Sequence, residues 1–285
     1  MAIDSFIPEL WSAEILSALR KSLVYGQAGV VNRDYEGEIS NYGDTVRVNS
    51  VSDLTVRDYT KHTDITVEAL TTSDQVLTIT QSKYWAFEVD DIEARQARNN
   101  GGLVAEVASR AGYLLGDEAD QFLAAQMKAG VAAGNVLTAV GDGTTAATAA
   151  QVFQTLIDLM VKLDESNVPR SGRWVVVTPA IHGVLLTDDK FVRVDASGTS
   201  QGLRNGMVGR AFGFDVMVSN NVPAGAVSGS TVIAGTSMAT SYAEQIAKTE
   251  ATRVEKRFAD MVKGLHLYGA KVFRGDCLAA VDVTV

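Results

Sequence analysis

One cysteine and three histidines in 285 residues leave little material for disulfide, thiol or metal chemistry. Cys277 has no partner for an internal disulfide, and its apolar C-terminal surroundings read as those of a small core residue. That usage fits a reducing compartment. His62, His182 and His266 have no second ligand type near them at helix or turn spacing, so no metal is expected, and nothing calls for a cofactor. No apolar run approaches the roughly 18 residues of a membrane-spanning helix, so no membrane is expected. The first residues, MAIDSFIPELWSAEIL, carry acids where a secretory signal carries bases. Basic residues are in deficit too: 25 Lys and Arg face 34 Asp and Glu, a formal charge of −9. A dedicated nucleic-acid binder needs clustered Lys and Arg to displace phosphate counterions, and no such cluster exists. Any contact with nucleic acid should be loose.

What the chain does have, across 44–91, is an alternating, threonine-rich β pattern. Val46 and Val48, Leu54 and Val56, Ile65 and Val67, Leu77 and Ile79, then Trp85, Phe87 and Val89 recur at every second position. The spacing predicts a two- or three-stranded ribbon with charge at its tip, at Arg57, Asp58, Lys61 and Asp64. A ribbon alone has too little core to be stable. No later segment offers an obvious sheet to cover it, so the expected cover is another copy of the same chain.

Before the ribbon, residues 1–43 read as an arm. A short amphipathic helix (Trp11, Ile15, Leu19, Leu23) is too short to stand alone in water and is expected to pack on a neighbouring subunit. After the ribbon, Asp90 and Glu93 form a capping-box-like helix start. A kink or break is expected at Asn99-Asn100-Gly101-Gly102. An apolar stripe (Leu103, Val104, Val107, Ala111, Leu114, Leu115, Phe122, Leu123) then continues to about Lys128. Residues 130–148 are Gly-, Ala- and Thr-rich and look like a boundary. A second amphipathic helix follows through Val152, Leu156, Ile157, Met160 and Leu163. Arg173 to Thr178 reads as a buried strand, with Pro179 opening a helix. Further strands are expected at Phe214–Val218, Thr231–Ala234 and Leu278–Val285. Between Thr249 and Arg274 the pattern is extended and charged, with Ala259 to Gly264 as the expected hairpin tip.

One motif tempts a catalytic reading. Gly235-Thr236-Ser237-Met238-Ala239 resembles the nucleophile signature of subtilisin-like serine proteases. That family continues with a small residue and proline, whereas here Thr240 is followed by Ser241. It also needs an Asp-Ser/Thr-Gly turn and then a His-Gly-Thr-His segment upstream of the serine. Here His182-Gly183 runs into Val184-Leu185, and Asp195-Ala196-Ser197-Gly198 follows the histidine. A serine without an oriented base is a poor nucleophile. Gly141-Asp142-Gly143-Thr144-Thr145 lacks a P-loop lysine, and Gly202 to Gly213 lacks a preceding βαβ unit, so both read as loops. The pairs Asp90-Asp91 and Asp188-Asp189 read as a helix cap and a solvated turn.

The order of elements resembles the major capsid protein of tailed double-stranded-DNA bacteriophages. The segments carrying this resemblance are Phe6-Ile7-Pro8-Glu9-Leu10-Trp11, Asn41-Tyr42-Gly43-Asp44-Thr45-Val46, Trp174 to Pro179, Gly213-Phe214-Asp215-Val216 through Ser219-Asn220-Asn221-Val222-Pro223, and Arg253 to Phe258 through Leu267 to Val272. The resemblance implies an α+β fold of the Hong Kong 97 type. It divides the chain into an N-terminal arm (1–43), an extended β loop (44–90), the spine helix of a peripheral domain (91–130), an axial domain (131–247), a peripheral-domain β hairpin (248–274) and a C-terminal strand returning to the axial domain (275–285). It implies no catalysis, and self-assembly through hexamers and pentamers into an icosahedral virion shell, built in the bacterial cytoplasm. Expected partners are a separate scaffolding protein, a portal, a decoration protein and loosely held packaged DNA. The scaffold is expected to be separate because the chain passes almost directly from Met1 into the arm. The lysine–asparagine cross-link of some relatives cannot be matched here, although Lys61 lies near the loop tip. Subunit contacts are expected at Trp11, Arg57, Asp58, Lys61, Asp64, Asp260 and Lys263. The nearest alternative is an encapsulin-type nanocompartment shell, which resembles this fold but encloses cargo enzymes. A subtilisin-like serine hydrolase is a distant third.

Overall fold

The computed structural model describes residues 24–35, 43–51, 54–59, 61–62, 64–65, 67–69, 72–90, 100–141, 145–187, 210–226, 229–254 and 257–285. In chain order these form β1 (Thr45–Val51), β2 (Thr72–Thr78), β3 (Gln81–Asp90) and the long helix α1 (Asn100–Gly130). Helix α2 (Ala149–Glu165), β4 (Arg173–Val177), helix α3 (Pro179–Leu185), β5 (Arg210–Ala211) and β6 (Phe214–Val218) follow. The chain ends with β7 (Ser230–Thr236), β8 (Thr240–Arg253), β9 (Ala259–Val272) and β10 (Leu278–Val283).

One layer is a five-stranded sheet in the order β10-β7-β4-β6-β5. Its central strand β4 is buried throughout, as a run of β-branched residues around Trp174 demands. Strand β6 lies parallel to β4, while β7 and β10 are antiparallel neighbours. The chain reaches β6 by way of α3, whose Thr178 cap and Pro179 start follow the usual N-terminal chemistry. Helix α2 opens with a reciprocal capping box between Thr148 and Gln151 and presses Val152, Leu156, Leu159 and Leu163 into the core. The outer edge of β10 is not left bare. Residues before α2 run beside it, with Leu137 N–H donating to Ala280 O at 2.8 Å and Val140 N–H to Asp282 O at 2.8 Å.

The second layer is a three-stranded antiparallel sheet, β3-β9-β8. One face meets α1, where Phe122 packs edge-on to Tyr268 at 5.4 Å and Lys83 Nζ lies 3.0 Å from Glu118 Oε2. The other face carries Leu267 and Ala243, which cluster with Val46, Leu77 and Ile79 at the root of the β1–β2 ribbon. Two glycines allow these close approaches. A Cβ on Gly269 would sit 2.4 Å from the Thr78 carbonyl oxygen, and one on Gly264 would sit 2.4 Å from Trp85 Nε1.

Several expectations change. The ribbon has two strands, β1 and β2, and its root is covered by the chain's own sheet rather than by a second copy. Strand β3, read as part of the loop, pairs with β9 along its whole length. Strand β8 begins at Thr240, inside the segment assigned to the axial domain. The β8–β9 turn lies at 254–258, where Val254 N–H donates to Ala259 O at 3.0 Å. Asp260 and Lys263 are therefore ladder residues opposite Arg253 and Glu250, not a tip. Residues 24–35, read as arm, sit in the core: Tyr25, Val30 and Val31 are fully buried. Helix α1 is helical from Asn100 through Gly101 and Gly102, and Asp90 is the last residue of β3; residues 91–99, where the capped helix start is expected, lie outside the described residues. The amphipathic helix around Trp11, Glu93 and Asn99, the P-loop-like 142–144, the pair Asp188-Asp189, Asp195 to Gly198 and the glycine-punctuated loop up to 209 lie outside the described residues.

Gly264→Ala should lower stability by about 1–3 kcal/mol through the forced shift of the Trp85 ring. Urea denaturation would measure it as a lower midpoint at unchanged slope; an unchanged midpoint would show that the ring moves without penalty.

Candidate assembly interfaces

Beyond the last β1–β2 pair the described residues between 54 and 69 form an excursion outside any ladder. Alternation along it has no core to serve. Val56 is 97% exposed and Val67 83%, and Leu54, Tyr59 and Ile65 are also largely in water. Fully burying each such side chain is worth about 1.5–3 kcal/mol, so this surface is a standing source of binding energy for whatever covers it. Arg57 and Glu68 pair across the excursion, Nη2 to Oε1 at 2.5 Å, and Thr55 N–H donates to Glu68 Oε2 at 3.2 Å. The Thr55 amide first, then the Arg57 guanidinium, hold the Glu68 carboxyl below the usual glutamate range. Arg57 is thus engaged within its own loop, while Asp58, Lys61 and Asp64 stand exposed around it. His62 takes a left-handed conformation (φ 67°), marking the reversal of the chain.

A second bare surface lies on the ribbon-side face of the three-stranded sheet, past the ribbon root. Tyr84, 80% exposed, stands directly across from Leu265, with Ala86 opposite Lys263 on the same face. Lys263 Nζ pairs with Glu250 Oε2 at 3.0 Å within the subunit. Phe258 projects from the β8–β9 turn, and its neighbour Arg257 reaches Glu88 at 3.3 Å.

A seam of polar contacts anchors residues 24–35 to α1 and β8. Asp120, on the buried side of α1, accepts from Tyr25 N–H at 2.7 Å, from Val24 N–H at 2.9 Å and from Asn221 Nδ2 at 3.1 Å. Burial raises its pKa and these hydrogen bonds oppose the rise. Asn32 bridges to the start of β8, its N–H donating to Thr240 O and its carbonyl accepting from Tyr242 N–H, both at 2.9 Å. Arg33 then ion-pairs with buried Glu244, lies over the Tyr242 ring at 5.3 Å, and donates to Gly26 O at 3.1 Å. Tyr242 Oη donates to the other Glu244 oxygen at 2.7 Å. Burial pushes the Glu244 carboxyl up, but His266, Arg33 and Tyr242 together outweigh it and hold the group at about 2. The sequence reading missed this seam. Its available signal was a carboxylate on an otherwise apolar face: Glu244 two residues beyond Tyr242, and Asp120 beside Ala119 and Leu123.

Among the described residues no reaction centre is assembled around Ser237. It occupies the turn from β7 to β8, closed by Ala239 N–H to Thr236 O at 3.1 Å, not the start of a helix. Among the described residues no group of three or more His, Cys, Asp or Glu side chains could hold a metal ion. Nor is any described helix long and apolar enough to cross a membrane.

Residues 74–281 match the family described as phage capsid protein. The chain belongs to that family. This capsid chain is 30% identical to a solved structure from Mycobacterium phage Che8, with a TM-score of 0.71 over 98% of both chains. It shares its fold with the capsid of cyanophage P-SCSP1u (17% identity, TM-score 0.70, covering 86% of this chain and 84% of that one). The mature capsid of bacteriophage PhiM1 is also similar (19% identity, TM-score 0.67, 84% and 81%). No curated protein matches the sequence. The protein is accordingly a major capsid protein, a structural component of a virion and not an enzyme. Its working surfaces are those that meet further copies of itself.

The lowered pKa of Glu244 has a defined sign. Stability from this group is fully present above the ordinary glutamate value of 4.5 and is lost as pH falls toward about 2. Glu244→Gln should cost about 3–5 kcal/mol at neutral pH by breaking the ion pair between Arg33 and a buried carboxylate, and should flatten the stability profile across that acidic window. Denaturation curves taken through the window would show it; a variant curve parallel to wild type would mean that Glu244 carries none of the acid sensitivity.

Proposed function

We propose that the chain closes into an icosahedral shell of the Hong Kong 97 type, built from hexamers and pentamers, around the double-stranded DNA of a tailed phage. The single observation carrying this is the apolar excursion at 54–69, solvent-exposed in the subunit and too narrow to cover itself. In this reading the five-stranded sheet with α2 and α3 is the axial domain, and α1 with the three-stranded sheet is the peripheral domain. The loop of one copy lies on a neighbour, using Leu54, Val56, Ile65 and Val67 for area and Asp58, Lys61 and Asp64 for register, with Arg57 held ready by Glu68. The bare face around Tyr84 and Leu265 is the matching apolar surface. Asp260 and Lys263 take part as members of β9, below a tip formed by Phe258, and Trp11 contributes through the arm. Each contact is modest, but a closed shell repeats them and gains from their shared geometry.

A separate scaffolding protein, a portal and a decoration protein belong to the same reading, as does assembly in the host cytoplasm. The acidic balance suits loose contact with packaged DNA, because a strongly basic lining would pin the phosphates. A shell around protein cargo is the competing reading. It has the support of a fold shared with a virus-like particle from Pyrococcus furiosus (13% identity, TM-score 0.55, 96% of this chain and 98% of that one). Electron microscopy of purified particles, with a nuclease-protection assay, separates the two: closed shells holding protected DNA support the phage reading, and shells holding only protein overturn it.

Val56→Asp combined with Val67→Asp should leave subunit melting within about 0.5 kcal/mol of wild type, since both side chains are in water. The yield of closed shells should fall at least about tenfold, because a loss of some 1.4 kcal/mol weakens each single contact tenfold and the shell repeats that contact. Wild-type shell yield would show that the excursion makes no contact between subunits.

A further inference from the structure

Tyr113 and Leu114 of α1 are 60% and 62% exposed, two adjacent apolar side chains on a helix whose other side builds the core. Seven residues make two helical turns less about 20°. Tyr113 therefore stands on the same strip of α1 as Asp120, about 10.5 Å nearer the N-terminal end. At Asp120 that strip is covered: the carboxylate accepts from Val24 N–H and Tyr25 N–H, and Tyr25 is fully buried. Two turns earlier the cover has stopped. The described chain begins at this same place, because residues 1–23 lie outside the described residues. Leu23 is thus joined directly to an anchored residue at the margin of a bare apolar strip.

We propose that residues 11–23 of the same subunit cover this strip, running from the Asp120 anchor beside α1 toward its N-terminal end. Ile15, Leu19 and Leu23 recur every four residues, the spacing of one helical face, and supply the apolar partner that Tyr113 and Leu114 lack. Length agrees: as a helix, residues 11–23 extend about 20 Å, enough to pass both exposed side chains. Charge agrees as well. Asp117, Glu118 and Asp120 put acids on three of four consecutive positions of α1. Among the described residues Lys83 is the one cation paired with any of them, through Glu118, while Asp117 and Asp120 meet the neutral amides of Gln121 and Asn221. Lys21 and Arg20 precede the anchored Val24 by three and four residues. At no more than about 3.5 Å per residue, both stay within about 14 Å of it. The tether decides between this subunit and a neighbour. A segment fixed at one end beside its target meets it at an effective concentration in the millimolar range, far above that of a second copy in dilute solution. The stripe that its sequence assigns to a neighbouring subunit is thus taken up at home, and Trp11, four residues beyond Ile15, is left for contacts between copies. The inference concerns one subunit and does not rest on the shell reading.

Cross-linking and hydrogen exchange on free full-length subunits test it. Ile15→Cys or Leu19→Cys, each combined with Tyr113→Cys or Leu114→Cys, is oxidised in dilute solution; the native Cys277 is buried away from the reaction. At least one pair should form a disulfide within a single chain, in a yield that does not change with protein concentration. Disulfide-linked dimers whose yield rises with concentration would give the segment to a second copy and overturn the proposal, as would the absence of any disulfide from all four pairs. In the wild type, amides of 11–23 should exchange at least about tenfold more slowly than their intrinsic rates, the scale of a population shift worth one tenfold step in an equilibrium constant. Tyr113→Gln with Leu114→Gln should remove that protection and leave β4 as it was, since both side chains are exposed and the fold does not depend on them. Wild-type amides exchanging at intrinsic rates, or protection that survives the double substitution, would overturn the proposal. Both readouts are made on free subunits, so failure to form shells leaves it intact.

Discussion

The three-stranded sheet has two faces and only enough cover for one and a half of them. Helix α1 meets one face through Phe122 and the Lys83–Glu118 pair. The ribbon root takes part of the other, placing Val46, Leu77 and Ile79 over Leu267 and Ala243. The covered half is dry enough to order the subunit; the remainder, with Tyr84 and Leu265, keeps its apolar area in water. The same division runs along the ribbon, buried at its root and bare at Leu54, Val56, Tyr59, Ile65 and Val67. Folding and assembly draw on one continuous hydrophobic system, and the boundary between them is the point where the chain's own cover ends.

The five-stranded layer plays the opposite part. Its central strand is buried throughout, its β10 edge is closed by the segment before α2, and α2 packs into its core. Among the described residues its core and its β10 edge are covered by the chain itself. Arg173 shows how thoroughly it is satisfied: the buried guanidinium meets Asp164 Oδ1 at 2.7 Å and the carbonyl of Pro169 at 3.0 Å. A rigid, self-sufficient layer beside an incompletely covered one suits a building block that must keep its shape while its contacts change.

Much of this was legible where periodicity meets burial. The strands at β4, β6, β7 and β10 and the stripes of α1 and α2 follow from β-branched runs and helical spacing, because in those places one physical demand dominates. The failures share a cause. Gly264 was read as a turn glycine, yet it sits in a continuous strand and leaves room for the Trp85 ring. Residues 24–35 were read as part of the arm, although Tyr25, Val30 and Val31 are buried there and the polar Asn32 and Arg33 are spent on the β8 edge and Glu244. The register of Asp260 against Arg253 depends on where β8 turns, and the bulge between Ile246 and Lys248 shifts that register beyond the reach of local spacing. Such pairings between distant segments leave no periodic trace in either one. The subunit-contact residues were legible only as exposed charge, which says that a surface is wet and not what it meets.

The close seating of the ribbon on Gly269 has a mechanical consequence. With the Thr78 carbonyl 2.4 Å from where a Cβ would stand, the ribbon rests on backbone rather than on deformable side chains. It therefore behaves as a lever on a hard fulcrum. Extended chain rises about 3.3 Å per residue, so the far end of the excursion lies tens of ångströms from that fulcrum, and a tilt of about 5° there displaces it by several ångströms. Errors of that size, repeated at every position of a closed surface, would alter its curvature. The smallest side chain in the sheet thus acts as a dimensional tolerance for an object far larger than the subunit.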